Sequence, residues 1–169
     1  LHCTTFQRFA RLSGQVPVLG IVHGRCFAGN AALLGCCDVI IATDSASIGM
    51  GGPAMIEGGG LGRVQADEVG PVGVQSPNGV IDLRVADEAA AVAAAKRYLG
   101  YFQGALAADT PAGGEALSLR LALPENRNAL YDPRAIMHTV MDQGSVLELR
   151  RDFGVGVITA LARIGGLAV

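Results

Sequence analysis

Gly24-Arg25-Cys26-Phe27-Ala28-Gly29-Asn30 decides the reading of this chain because of what stands on either side of it. Upstream, Val16-Pro17-Val18-Leu19-Gly20-Ile21-Val22 is a continuous apolar run of strand length. Downstream, Ala31-Ala32-Leu33-Leu34-Gly35-Cys36-Cys37 reads as a buried helix of small residues that ends near Asp38. A strand, a glycine turn and a helix start leave backbone N–H groups without acceptors and align them with the positive end of the helix dipole, so the turn suits negative charge. Where that charge develops only in a transition state, such a turn is an oxyanion hole, each donor contributing roughly 3–4 kcal/mol.

Outward from the turn, Phe6, Phe9 and Leu12 share one face of a helix over residues 5–13, with Gly14 as its stop. Val39-Ile40-Ile41-Ala42 is a second buried strand, closed by the turn chemistry of Thr43-Asp44-Ser45. Residues 49–62 are dense in glycine, as suits a loop lying close to a ligand or to another backbone, and also a plain surface loop. Asn78-Gly79 is a turn before the alternating strand Val80–Val85, and Asp87 caps an Ala-rich helix running to about Gln103 with Val92, Leu99 and Phe102 inward. Residues 105–130, clustered in Gly, Pro, Asn and Glu, read as a linker. Asp132 and Pro133 then cap and open another helix with Ile136, Val140 and Met141 on its inner face, and strands are expected over 146–150 and 155–164.

Composition narrows the classes. Half of the 169 residues are hydrophobic, aromatics make up 5% and glycines number 24, which favours close-packed α/β layers over a loose bundle. A net charge of −2 without charge runs gives no footprint for nucleic acid. No apolar run reaches the ~18–20 residues that cross a bilayer, so no membrane partner is expected and a cytoplasmic location is. Cys3, Cys26, Cys36 and Cys37 are irregularly spaced and lack the further ligands of a tetrahedral site, so they read as small core residues and no metal is expected. Lys96, the only lysine, follows Ala94-Ala95, which excludes a phosphate-binding loop ending in Gly-Lys-Ser/Thr.

In order and spacing, the strand Val16 to Gly24, the Gly24-x-Cys26-x-x-Gly29 turn, Asp38 fourteen residues after Gly24, the Asn78-Gly79-Val80-Ile81-Asp82 strand start and Tyr131-Asp132-Pro133-Arg134 make one pattern. It resembles the carboxyltransferase (beta) component of biotin-dependent acyl-CoA carboxylases, of the crotonase-like superfamily. The resemblance covers essentially the whole chain. It implies an α/β fold of layered β-β-α superhelix, present in part: residues 1–104 as the C-terminal part of a first crotonase-like half, 105–130 as linker and 131–169 as the start of a second half, all within a longer chain.

The resemblance further implies carboxyl transfer from carboxybiotin to the α-carbon of an acyl-CoA of acetyl or propionyl type. Backbone donors at Ala28 and Gly29 hold the enolate oxygen, and Cys26, Phe27, Asn30, Gly49, Met50 and Gly51 line the substrate. Carboxybiotin arrives on a separate carrier, with a biotin carboxylase or biotin carrier subunit as partner and a homo-oligomer of the full chain. The biotin-side oxyanion site belongs to the second half, beyond the elements present. Ala28 stands where the family often has a second glycine, and Asn30 is a second departure.

A hydratase or isomerase of the same superfamily is the nearest alternative, and it needs carboxylates to move protons. The two acidic positions of the superfamily pattern fall at Ala32 and Gly52, neither of which can act as acid or base. A decarboxylase using the same turn and a non-catalytic structural subunit are the other readings. Among side chains, His23 reads as a structural residue at a strand end, His2 and His138 lack partners in sequence, Glu57 reads as solvated, and Asp132 and Arg134 as cap and anchor of their helix.

Overall fold

The computed structural model describes residues 4–107, 116–126 and 128–169, which form two units. His2 and Cys3 lie outside the described residues, as do 108–115 and 127 of the expected linker.

The first unit comprises the residues up to Leu99 together with Arg150–Ile158. In chain order it contains α1 (Thr5–Ala10), β1 (Leu19–Val22), β2 (Arg25–Phe27), α2 (Gly29–Leu34), β3 (Val39–Thr43), β4 (Ser47–Gly49), α3 (Pro53–Gly58), α4 (Val72–Gln75), β5 (Leu83–Val85) and α5, which runs Glu88–Gly100 and crosses the boundary at its last residue. The strand order is β1-β3-β5, all parallel, with Leu19 opposite Val39 and Ile41 opposite Leu83. β3 is buried at all five residues, as a central strand of a parallel sheet covered on both faces must be.

Asp38 explains how α2 returns to this sheet. Its N–H donates to the Val18 carbonyl at 2.7 Å, and its carboxylate accepts the Val18 N–H at 2.8 Å. Gly20 lets α2 approach, since a Cβ there would lie 2.4 Å from Leu34 Cδ1. The core gathers Val22, Leu34, Ile40, Ala42, Ala46, Ile48, Val72 and Ile81, with Cys26 and Cys37 packed against it. Cys36 and Cys37 donate weakly to the carbonyls one turn back, Ala32 and Leu33, at 3.4 and 3.7 Å. They behave as small helix-end residues.

Several elements differ from the sequence expectation. β1 and β5 are shorter than the apolar runs that carry them, although Ile81 remains buried and the Asp82 N–H still donates to Ile40 O at 2.9 Å. The glycine-dense stretch contains α3, because Pro53 occupies the first helical position where its missing N–H is harmless. Along α5 the buried face is Ala91, Ala95 and Tyr98, while Val92 is exposed. Small alanines admit the closer packing, and Tyr98 supplies the bulk.

The second unit comprises Gly100–Leu149 and Thr159–Val169. It holds α6 (Ala116–Ala122), which falls inside the expected linker, α7 (Pro133–Val140), and two antiparallel pairs: β6 (Leu147–Leu149) with β7 (Thr159–Leu161), and β8 (Arg163–Ile164) with β9 (Leu167–Ala168). The run expected as one strand over 155–164 yields only β7 and β8, since Gly154 and Gly156 interrupt it and Val155 and Val157 are exposed.

Asp132 caps α7 through the Arg134 N–H at 2.9 Å, and the Arg134 guanidinium binds both carboxylate oxygens of Glu148. Arg163 and Asp142, both buried, are satisfied by backbone: the guanidinium donates to the carbonyls of Gly100, Gly104 and Gly166 beneath the Tyr101 ring, and the carboxylate accepts the Gly165 and Gly166 N–H groups. Hydrogen bonds of this kind keep buried charge affordable.

Candidate active site

The turn from Gly24 to Asn30 is built by a short parallel ladder. β2 pairs with β4, placing Cys26 opposite Ile48 and Phe27 opposite Gly49, and the Gly24 carbonyl accepts the Ser47 N–H at 2.8 Å. The ladder ends at Ala28, whose N–H donates to Gly49 O at 3.2 Å. Ala28 sits at φ +53°, ψ −122°, a conformation suited to glycine, and such strain costs about 1–3 kcal/mol. Its carbonyl accepts the Ala32 N–H at 3.0 Å, which fixes α2 to begin at Gly29. The Gly29 N–H therefore has no helical acceptor one turn back. Ala28, Gly29 and Asn30 are all exposed.

Of the two backbone donors expected here, the Ala28 N–H is thus engaged within the ladder, and the Gly29 N–H belongs to an exposed residue at the start of α2. The ladder also gathers the side-chain positions read from sequence. Gly49 is paired with Phe27 and accepts the Ala28 N–H, and Met50 and Gly51 follow it in the chain. A Cβ on Gly49 would lie 2.9 Å from Val69 Cγ1, and one on Gly52 would lie 3.4 Å from the Phe27 ring. Met50 is 67% exposed. Cys26 turns to the core, and burial pushes its thiol pKa up, so it stays a protonated packing group.

Behind β4 stands a support that sequence reasoning missed. Gly70, at φ +61°, accepts the Ile48 N–H at 2.8 Å, and a Cβ there would fall 1.9 Å from Ile48 O. Gln75 Nε2 donates to that same carbonyl at 2.7 Å, and the Ser47 hydroxyl lies 2.7 Å from Val69 O and 3.0 Å from Ala66 O. These partners are separated by about twenty residues or more, which periodicity cannot register.

His23 follows β1 directly. Its Nδ1 lies 3.0 Å from Thr43 Oγ1 and 3.3 Å from Ser45 Oγ, and its Nε2 lies 3.1 Å from Glu88 Oε1. A cavity of about 360 Å³ is lined by apolar groups such as Phe9, Ile21, Leu33 and Leu34, together with His23 and Asn30. Glu57, expected as solvated, is half exposed and pairs with Arg63 at 2.7 Å. Among the described residues no three His, Cys, Asp or Glu side chains are grouped to hold a metal, and no helix is long and apolar enough to cross a membrane.

Comparison with known proteins adds three findings. The family model described as "Carboxyl transferase domain" matches residues 2–169. The solved structure of a single-chain, multi-domain long-chain acyl-CoA carboxylase superposes with a TM-score of 0.93 at 53% identity, covering 98% of this chain and 16% of that one. Among curated proteins, the methylmalonyl-CoA carboxyltransferase 12S subunit of Propionibacterium freudenreichii subsp. shermanii is 28% identical over 94% of this chain and 32% of its own. The biotin-dependent long chain acyl-coenzyme A carboxylase beta4 subunit of Mycobacterium tuberculosis is 27% identical over 96% and 33%. The chain spans about a third of the length of these curated relatives.

Proposed function

This chain belongs to the carboxyl transferase domain family, and on that premise we propose that its full polypeptide transfers a carboxyl group from carboxybiotin to the α-carbon of an acyl-CoA. The observation that carries the reading is the Ala28–Gly29 turn, where a strained residue ends a parallel ladder and α2 starts at the exposed Gly29.

In this reading the Gly29 N–H donates to the thioester oxygen. The α-carbon proton passes to the biotin ureido nitrogen left by the departing carboxyl group; as it leaves, the thioester oxygen gains negative charge and the hydrogen bond strengthens, so the turn binds the enolate better than the thioester. Phe27, Asn30, Met50 and Gly51 form the surrounding wall, and Cys26 backs it from the core. No side-chain acid or base is called on, in keeping with Ala32 and Gly52 at the positions where a hydratase carries its acids. The similarity to a long-chain acyl-CoA carboxylase adds a long-chain acyl-CoA to the acetyl and propionyl types as candidate substrates.

Carboxybiotin supplies the carboxyl group, carried by a biotin carrier or biotin carboxylase partner. Among the described residues of the second unit, the consecutive amides of Gly165 and Gly166 are taken by Asp142. We therefore assign the biotin side to the remainder of the polypeptide. The division into a first half over 1–104, a linker over 105–130 and the start of a second half over 131–169, the layered crotonase-like superhelix, a homo-oligomer and a cytoplasmic location belong to the same proposal.

The test is an assay of the full-length polypeptide with its biotin carrier, the carrier being charged from labelled bicarbonate by a biotin carboxylase and ATP, following the label into acetyl-, propionyl- and long-chain acyl-CoA. Incorporation at the α-carbon supports carboxyl transfer, and the preferred chain length selects the substrate. Hydration of an enoyl-CoA without incorporation overturns it.

A further inference from the structure

We propose that His23 is a positioning residue for this carboxyl transfer: by tying the end of β1 to Thr43, Ser45 and Glu88, its imidazole holds the bend from which β2 and the Ala28–Gly29 turn are hung. The inference rests on the function proposed above.

Parallel α/β sheets place their ligands outside the carboxyl ends of the strands. His23 follows the last residue of β1, Thr43 is the last residue of β3, and Glu88 comes three residues after β5, at the start of α5. From the carboxyl end of β1 one imidazole thus touches side chains at the carboxyl ends of the other two strands of the sheet, at 3.0 Å to Thr43 Oγ1, 3.3 Å to Ser45 Oγ and 3.1 Å to Glu88 Oε1. Thr43 is fully buried and therefore a fixed anchor, and its hydroxyl also lies 3.1 Å from Ser45 Oγ.

From this anchor to the turn the path is short and made of backbone. Gly24, the next residue, bends at φ +73° and its carbonyl accepts the Ser47 N–H at 2.8 Å. That bond starts the β2–β4 ladder, which ends four residues on at the strained Ala28. Free rotation at His23 would let the bend relax the strain at Ala28 by tilting the ladder, moving the Gly29 N–H off the enolate oxygen. A misplacement of about 1 Å caused at a distance from the chemistry is enough to lower a rate strongly. An anchored imidazole prevents it.

The geometry also separates the two bonds of the ring. An Asn side chain at position 23 places its amide near Nδ1 and retains the Thr43 contact, whereas a Gln side chain reaches the place of Nε2 and retains the Glu88 contact. A Phe side chain fills the same space and makes neither.

The experiment measures carboxyl transfer by the full-length polypeptide with its biotin carrier, together with the thermal midpoint, for wild type, His23→Phe, His23→Asn and His23→Gln. The expected result is a kcat at least tenfold lower for His23→Phe, with KM for acyl-CoA within about twofold and the thermal midpoint little changed, and recovery of most of the kcat in His23→Asn. A His23→Phe kcat within twofold of wild type overturns the inference, as does a kcat loss that only mirrors unfolded protein or that neither amide variant rescues. Recovery by His23→Gln in place of His23→Asn overturns the role given to Thr43. Absence of carboxyl transfer in the wild type counts against the proposed function instead.

Discussion

The Ala28 N–H donates to the Gly49 carbonyl at 3.2 Å, and the bond closes the β2–β4 ladder on a residue held at φ +53°. An alanine is strained there by about 1–3 kcal/mol, and glycine is relieved of most of it at a smaller cost in unfolded-chain entropy. Ala28→Gly is therefore expected to stabilise the protein by about 1 kcal/mol in urea unfolding, while the Gly49 bond and the Gly29 donor remain. An unchanged or lower midpoint would show that the Ala28 methyl makes compensating contacts.

Gly29 is the donor on which the proposed chemistry depends. Proline is well tolerated at the first residue of a helix and removes the N–H, while Ala28→Gly in the same chain eases the restriction proline sets on the residue before it. The double variant is expected to keep its helical circular dichroism and lose about 10²–10³ in the rate of carboxyl transfer. Gly29→Ala is the control for bulk: it retains the N–H, and its Cβ would lie 3.5 Å from Phe6 Cζ, an ordinary contact. Equal loss in both variants would assign the effect to bulk and remove Gly29 as donor.

Local pattern carries much of this site and long-range support carries the rest. The apolar run into β1, the small-residue helix α2 and the glycine turn between them are legible because each is a property of neighbouring residues. Asp132 as a helix cap is equally local, and the structure shows its bond to the Arg134 N–H. What stayed hidden depends on residues far apart in sequence: the engagement of the Ala28 N–H by Gly49, the close approach of Gly70 to Ile48 O, and the three contacts of His23. The inner face of α5 was misplaced for a related reason. Alanine does not announce whether it faces inward, so large Val92 was favoured over buried Ala91 and Ala95.

Asp82 joins two distant stretches of the first unit. Its buried carboxylate accepts the Ile40 N–H at 2.7 Å and Arg150 Nε at 2.7 Å, and its carbonyl accepts the Arg150 N–H at 2.8 Å. Asp82→Ala leaves the Ile40 N–H without an acceptor inside the sheet and is expected to cost about 2–3 kcal/mol in chemical unfolding. Arg150→Ala removes a partly exposed partner and is expected to cost about 1 kcal/mol or less. A larger loss for Arg150→Ala would place the main stabilisation in the ion pair instead of the backbone bond.

Cys26 and Cys37 give the structure a pH signature. Burial pushes both thiols above the usual thiol range, and for Cys37 the neighbouring Cys36 and Asp38 add to the shift. Because the folded state holds these protons more tightly than the unfolded chain, their contribution to stability is complete below the ordinary thiol pKa. It is lost as the pH rises through that value toward the raised one. Unfolding midpoints of the wild type are thus expected to fall at alkaline pH more steeply than those of Cys26→Ser/Cys37→Ser, whose stability is lower at neutral pH but less pH-dependent there. The same burial predicts slow alkylation of both residues by iodoacetamide at neutral pH, since the thiolate is the reactive form. Rapid modification of Cys26 at neutral pH would mark it as an accessible nucleophile beside the turn and remove it from the core.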